Sequence, residues 1–321
     1  VVTPESVTLH FTFWGSEVER AAVEQTVRGF EASHPNIKVN AEHIPNAEYV
    51  ARLSAMFAAG DPPDVGYLFE THAALWASGG RLLDMTEVIN NDPQLSERLP
   101  ETFYYYAPGK TIGTSTASET TVMFYNKDLF DAAGLAYPDD SWDRNTFLDA
   151  ALALTLDEAG VSAAQDGFDQ ESIAQWGINM IGSYSNAVTV WNNGGELINR
   201  EQTQSMLTEP ATVEAFEWLA SLLHEHFVHP TPAQMEGLPN PFQVARVAMT
   251  MDGSWNVGPY ITDVEFNWDI APVPMGTAGV DRVTYAGTDT FHVFKDSKNV
   301  DAAWDLLKYM TGPEGMTYFA T

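Results

Sequence analysis

The chain opens on a period-two pattern. Val7, Leu9, Phe11 and Phe13 alternate with Thr8, His10 and Thr12, which predicts a strand. The period then lengthens to that of a helix. Val23, Val27 and Phe30 recur at helical spacing, and Ser16 with Glu19 three residues on has the form of a capping box. His34-Pro35-Asn36 breaks this helix, and Ile37, Val39 and Ala41 resume a strand. A second helix is predicted with Asn46 as its cap, Tyr49, Leu53, Met56 and Phe57 on one face, and Gly60 just past its end. Asp61-Pro62-Pro63-Asp64 makes a rigid turn into a short apolar strand over Val65 to Phe69. This alternation of strand and helix predicts an α/β fold with a doubly wound sheet.

Later segments carry more helix. Phe147 to Ala159 and Val213 to His224 have the pattern, whereas Trp191 to Glu196 and Gly253 to Asn256 read as loops or helix starts with aromatics at the tip. Val283 to Phe294 reads mostly as strand. A last helix runs from Asn299 through Ala303, Leu307 and Met310 and stops at Gly312-Pro313. The 321 residues suffice for two domains. No internal repeat, low-complexity tract or long linker divides them, so the chain is expected to cross between two lobes more than once.

Charge narrows the partners. Acids number 44 and bases 15, a net charge of -29 within a charged share of only 18%. The imbalance therefore comes mainly from scarce Lys and Arg. Phosphate binding needs clustered bases, so nucleic acid is excluded as a partner and a large anionic substrate is disfavoured. A neutral or cationic ligand fits. With no cysteine, thiol nucleophiles, disulfides and Cys-ligated zinc are ruled out. No stretch approaches the roughly 18 apolar residues of a membrane helix. Val1 to Ser6 has the character of a mature or trimmed start rather than a signal peptide.

Several segments resemble one family. These are His34-Pro35-Asn36-Ile37-Lys38-Val39, the stretch Phe57 to Val65, and Met123 to Phe130 followed by Ala133-Gly134-Leu135. Asn193-Gly194-Gly195, Val247 to Thr250 leading to Gly253-Ser254-Trp255, and Ser297-Lys298-Asn299 with Ala302-Ala303-Trp304 complete the set. In this order they resemble the extracellular solute-binding proteins of family 1, which feed ABC importers of sugars and include maltodextrin-binding proteins. The resemblance implies a two-lobed periplasmic-binding-protein-like fold, with hinge strands and the ligand in an inter-lobe cleft. Residues 1–114 plus 288–321 would form the N-terminal lobe and 115–287 the C-terminal lobe, with Gly113 and Gly287 as hinge glycines. Relatives are expected to continue beyond the position of Thr321 with helices for the second lobe; that C-terminal tail is absent from this sequence.

A sugar offers an apolar C–H face and a rim of hydroxyls, which proteins meet with aromatic rings and with carboxylates or amides. Strand ends of an α/β sheet are where such groups should lie. Trp14, Ser16 and Glu17 follow the first strand, Glu42 and His43 the second, and Glu70, Thr71 and His72 the third. Trp255 sits in a segment that Gly253 and Ser254 allow to turn sharply, and the resemblance places a stacking Trp there. It likewise implies an acid at Glu119 in the first hinge and a stacked ring at Tyr184, with Ser183, Asn186 and Trp191 nearby; Tyr285, Gly287 and Asp289 lie near the return hinge.

The expectation is a non-enzymatic, monomeric, cofactor-free receptor outside the cytoplasm, periplasmic or anchored as a lipoprotein. It would bind a sugar or oligosaccharide and pass it to ABC importer membrane subunits. Three other readings stay open on the residues: a polyamine or other cationic-solute receptor using Glu17, Glu70 and Glu119, a carbohydrate-active hydrolase, and a sensor subunit. Two further signals carry less. His224 to His229 places His226 and His229 three apart on one helical face, where they suit the end of a helix dipole better than a metal. Phe103-Tyr104-Tyr105-Tyr106 should alternate between core and surface as a strand does.

Overall fold

The computed structural model describes residues 6–98, 102–107, 109–116, 118–201, 203–276, 279–287 and 289–319; the side chains at 70, 71 and 183 lie outside that description. The chain is mixed α/β and divides into two compact units, Val1–Ser118 with Gly287–Thr321, and Glu119–Ala286.

In the first unit the elements run β1 (Val7–Phe13), α1 (Glu17–Ser33), β2 (Ile37–His43), α2 (Asn46–Ala58), β3 (Val65–Leu68), α3 (Glu70–Ser78), α4 (Thr86–Asn91), α5 (Pro93–Ser96), β4 (Phe103–Ala107) and β5 (Lys110–Thr114). The second unit contributes β6 (Glu119–Asn126), α6 (Lys127–Ala133), α7 (Arg144–Leu154), β7 (Leu156–Asp157), β8 (Ile173–Asn179), α8 (Ser183–Asn192), α9 (Pro210–His224), α10 (Pro232–Met235), β9 (Val247–Gly253), α11 (Val257–Asp263) and β10 (Trp268–Ala271). After β11 (Ala286–Gly287) the chain returns to the first unit with β12 (Thr290–Val293), α12 (Val300–Thr311) and α13 (Pro313–Met316).

The first sheet has the order β2-β1-β3-β12-β5-β4. β1, β2 and β3 are parallel, while β12 runs antiparallel to β3 and β5. Leu9, Phe11 and Phe13 are buried with Val23 and Phe30 of α1 and with Leu306 and Leu307 of α12 in one core. The second sheet has the order β10-β6-β9-β8-β7, with β8 parallel to β9 and β6 antiparallel to it. Its main core gathers Phe147 and Leu154 of α7, Leu219 and Leu222 of α9, and the central strands.

Local chemistry explains most element ends. Ser16 caps α1 through the expected box with Glu19. Gly60, at φ 73°, takes the left-handed position after α2 that favours glycine. Five expectations of local structure need correction. Asn46 is the first residue of α2 rather than its cap, since Pro45 holds the cap position and makes no side-chain bond. The helix predicted to Ala159 ends at Leu154, because the Asp157 carboxylate gathers the N–H groups of Ala159, Val161 and Asp169 into a loop. Trp191 closes a helix instead of opening a loop. Of the strand expected over Val283 to Phe294, only β11 and β12 form. In β4 the expected alternation also fails. Register shifts flank Tyr105, and both Tyr105 and Tyr106 are exposed.

Candidate functional site

In the second unit, β8 and β9 are parallel, so Asn179 and Gly253 end at the same edge of the sheet. β6 starts there too, with Thr121 opposite Gly253. A cavity of about 270 Å³ opens at this edge, lined by the β8–α8 connection, the end of β9, Tyr184 and Trp255. Trp255 lies in a single 3-10 turn, Ser254–Asn256. Its indole folds back over Gly253 so closely that a Cβ there would lie 2.1 Å from the ring. Tyr184 meets Trp255 edge to face at 5.5 Å, and Tyr285 lies 4.5 Å from Tyr184. All three rings are half-buried and form one aromatic row.

Polar groups stand beside the row. Asp252 is the half-buried acid of an otherwise buried strand and lines the cavity. Burial pushes its carboxyl above the ordinary carboxylate range, against the opposing effect of bonds from the Gly253 N–H and the Asn256 side chain. Glu119 is half-buried at the head of β6, and the N–H of its neighbour Thr120 donates to Ser254 Oγ at 3.2 Å. That bond ties the Glu119 segment to the turn that carries Trp255. Sequence reasoning singled out Trp255, Tyr184 and Glu119 but missed Asp252. An acid at the end of a mostly apolar strand pattern is the signal that could have found it.

The profile of the bacterial extracellular solute-binding proteins matches residues 14–317, nearly the whole chain. The chain belongs to this family. A binding protein of Brucella abortus is 26% identical over 297 residues, covering 89% of this chain and 67% of the relative. An arabinooligosaccharide-binding protein of Bacillus subtilis is 25% identical over 320 residues, covering 94% and 69%. Among solved structures, an ABC substrate-binding protein from Listeria monocytogenes in complex with cycloalternan superposes with a TM-score of 0.81 at 26% identity, covering 97% of this chain and 77% of that one. Among the described residues, no helix is long and apolar enough to cross a membrane.

The first unit of this solute-binding protein has a corresponding edge, where the parallel strands β1, β2 and β3 end and β12 begins. Its candidate residues are placed differently from expectation. Trp14 is buried among Tyr49, Tyr67 and Phe69, with its Nε1–H donated to Asp289 Oδ2 at 3.1 Å. Its ring is therefore core, and the pair it forms with Asp289 stitches the end of β1 to the start of β12. Ser16 spends its hydroxyl and N–H on the capping box. Glu17 is exposed in the first turn of α1, 3.7 Å from Arg20. Glu42 and His43 belong to β2 rather than following it. Glu42 is held by His10 at 2.9 Å and Arg52 at 3.2 Å, and His43 donates to the Gly15 carbonyl. These partners make Glu42 a fastening of the outer strand.

Glu70 and Thr71 open α3, and their side chains lie outside the described residues. Gly113 is corrected as a hinge glycine. It is buried inside β5, where a Cβ would meet the His292 ring at 2.5 Å, so its role is close packing. Gly287 stands at the border of the two units. His226 and His229 do not share a helical face, because α9 ends at His224. His229 is instead buried, and burial pushes its imidazole down to about 4.

Proposed function

We propose that the protein is an extracytoplasmic receptor that binds a neutral oligosaccharide and delivers it to an ABC importer, without turning it over. The observation that carries this reading is the aromatic row of Trp255, Tyr184 and Tyr285 beside a cavity that also holds Asp252. Rings take up the C–H face of a pyranose or furanose, and a carboxylate accepts from its hydroxyls. Glu119, at the head of β6, supplies a second acceptor in this reading. The scarcity of Lys and Arg fits an uncharged ligand. Family membership and the sugar-binding relatives support the same choice. Their likeness also supports a location outside the cytoplasm, free or lipid-anchored. In this reading the receptor acts as a monomer, with Gly287, at the border of its two units, near the hinge.

Thermal unfolding and Trp fluorescence against maltotriose, arabinotriose and spermidine test the proposal. Ligand at about 1,000 times Kd should add roughly 4 kcal/mol, a shift of several degrees. Stabilisation by an intact sugar supports the reading. A shift with spermidine alone makes this a receptor for cationic solutes, and appearance of cleaved sugar overturns the non-enzymatic role.

A further inference from the structure

The wall of the cavity is a short irregular connection. Met180, Ile181 and Gly182 link the end of β8 to Tyr184 in the first turn of α8. The N–H groups of Met180 and Ile181 have left the ladder of β8, and that of the buried Met180 in particular needs an acceptor. Both point at one atom. His229 Nε2 lies 3.0 Å from the Met180 N and 3.1 Å from the Ile181 N. An atom that faces two N–H donors can only accept. The ring proton must then sit on Nδ1, and Nδ1 lies 2.7 Å from the Pro230 carbonyl, which takes it. The neutral tautomer is thus fixed from both sides.

The segment that delivers His229 is itself constrained. Phe227, two residues earlier, has φ 54°, a left-handed conformation that a bulky residue seldom adopts. It turns the chain after α9 so that the Val228 carbonyl accepts from Ile178 of β8 and His229 follows beneath the connection. Backbone strain of this kind persists where surrounding contacts demand the position it creates.

We propose that His229 is a positioning residue of the ligand site: it touches no ligand, but pegs Met180 and Ile181 and so sets the wall of the cavity and the place of Tyr184. This rests on the reading of that cavity as the sugar site. The side chain at 229 must reach the two amides with an acceptor. Gln carries an amide oxygen at the distance of Nε2, whereas Asn is one methylene too short.

The test compares His229→Gln with His229→Asn in the whole chain, both measured well below their unfolding temperatures. Amide exchange over residues 178–184 and titration with maltotriose and arabinotriose are the two readouts. Expected are fast exchange at 180 and 181 and about tenfold weaker sugar binding in H229N, the loss of one to two hydrogen bonds' worth of order, with both restored in H229Q. Wild-type affinity and protection in H229N would overturn the proposal while leaving the sugar reading intact. Should the wild type bind neither sugar, the functional reading fails for these ligands. Exchange then decides alone whether His229 pegs the connection, with equal protection in all three proteins refuting it. Loss of protection and binding in both variants alike would show that only the imidazole's bulk matters, and would also refute it.

Discussion

Gly253→Ala separates the place of the Trp255 ring from its presence. The added methyl carbon would lie 2.1 Å from Cη2 and Cζ3 of the indole. Non-bonded carbons sit at about 3.5–4.0 Å, so the ring must retreat by roughly 1.5 Å or more. Trp255 is half-buried and its side chain can swing, so the fold should lose only about 1 kcal/mol, the low end for overpacking. Binding should suffer more. Trp255→Ala removes a central aromatic contact, worth about 2–3 kcal/mol or roughly 30–150-fold in Kd. Displacing the ring should cost nearly as much. With the indole gone, the three atoms nearest the methyl at 253 are gone too, and the double variant should bind like Trp255→Ala alone. Calorimetric titration of the four proteins with the sugar that stabilises the wild type closes the cycle. The coupling should equal most of the Gly253→Ala loss. Binding within twofold of wild type in Gly253→Ala, or losses that add, would refute a stacking role for Trp255.

Three further outcomes follow from the geometry. His229 in the second unit and His292 in the first are both pushed by burial down to about 4, so between that value and about 6.5 the unfolded chain binds more protons than the native one. Stability should be full above pH 6.5 and fall on acidification, by about 3 kcal/mol per histidine at most, as denaturant titrations at a series of pH values would register; a flat profile contradicts it. Glu42→Gln breaks a partly exposed ion pair with Arg52 and weakens the hydrogen bond with His10. It should cost under about 1 kcal/mol and leave sugar affinity unchanged, and a clear loss of affinity would return Glu42 to the site. Gly113→Ala drives a methyl into the wholly buried His292 ring, which is held by Ile112 and Thr290. The expected cost is about 1–3 kcal/mol in chemical denaturation, and wild-type stability would restore Gly113 as a candidate hinge.

Much of the fold was legible because local patterns coincide with burial. Leu9, Phe11 and Phe13 alternate in sequence and are buried in β1; Ser16 and Glu19 spell a cap and form one. The failures arose where side chains override the pattern. The Asp157 carboxylate collects three backbone N–H groups and ends a helix whose apolar spacing continues. Bulges in β4 defeat a strand alternation that the tyrosines seemed to promise. Spacing groups His229 with His226, yet its Nε2 meets amides some fifty positions away, at Met180 and Ile181. Long-range partners of that kind leave no periodic trace.

The two tryptophans at strand ends show how far residue type alone reaches. Trp14 and Trp255 both follow a strand that ends at the loop-bearing edge of a sheet, and both suit a sugar face in composition. Trp14 continues directly from β1, so its indole falls beneath the edge, where Tyr49, Tyr67 and Phe69 enclose it and Asp289 takes its N–H. Trp255 is set off from β9 by Gly253 and a 3-10 turn. The missing Cβ at 253 lets the ring lie back on the strand end, and Tyr184 props it from the side. The informative letter is therefore the glycine two positions before the tryptophan. It converts an aromatic from a core plug into a half-buried platform, while Asp252, the residue before that glycine, places a carboxylate on the same cavity.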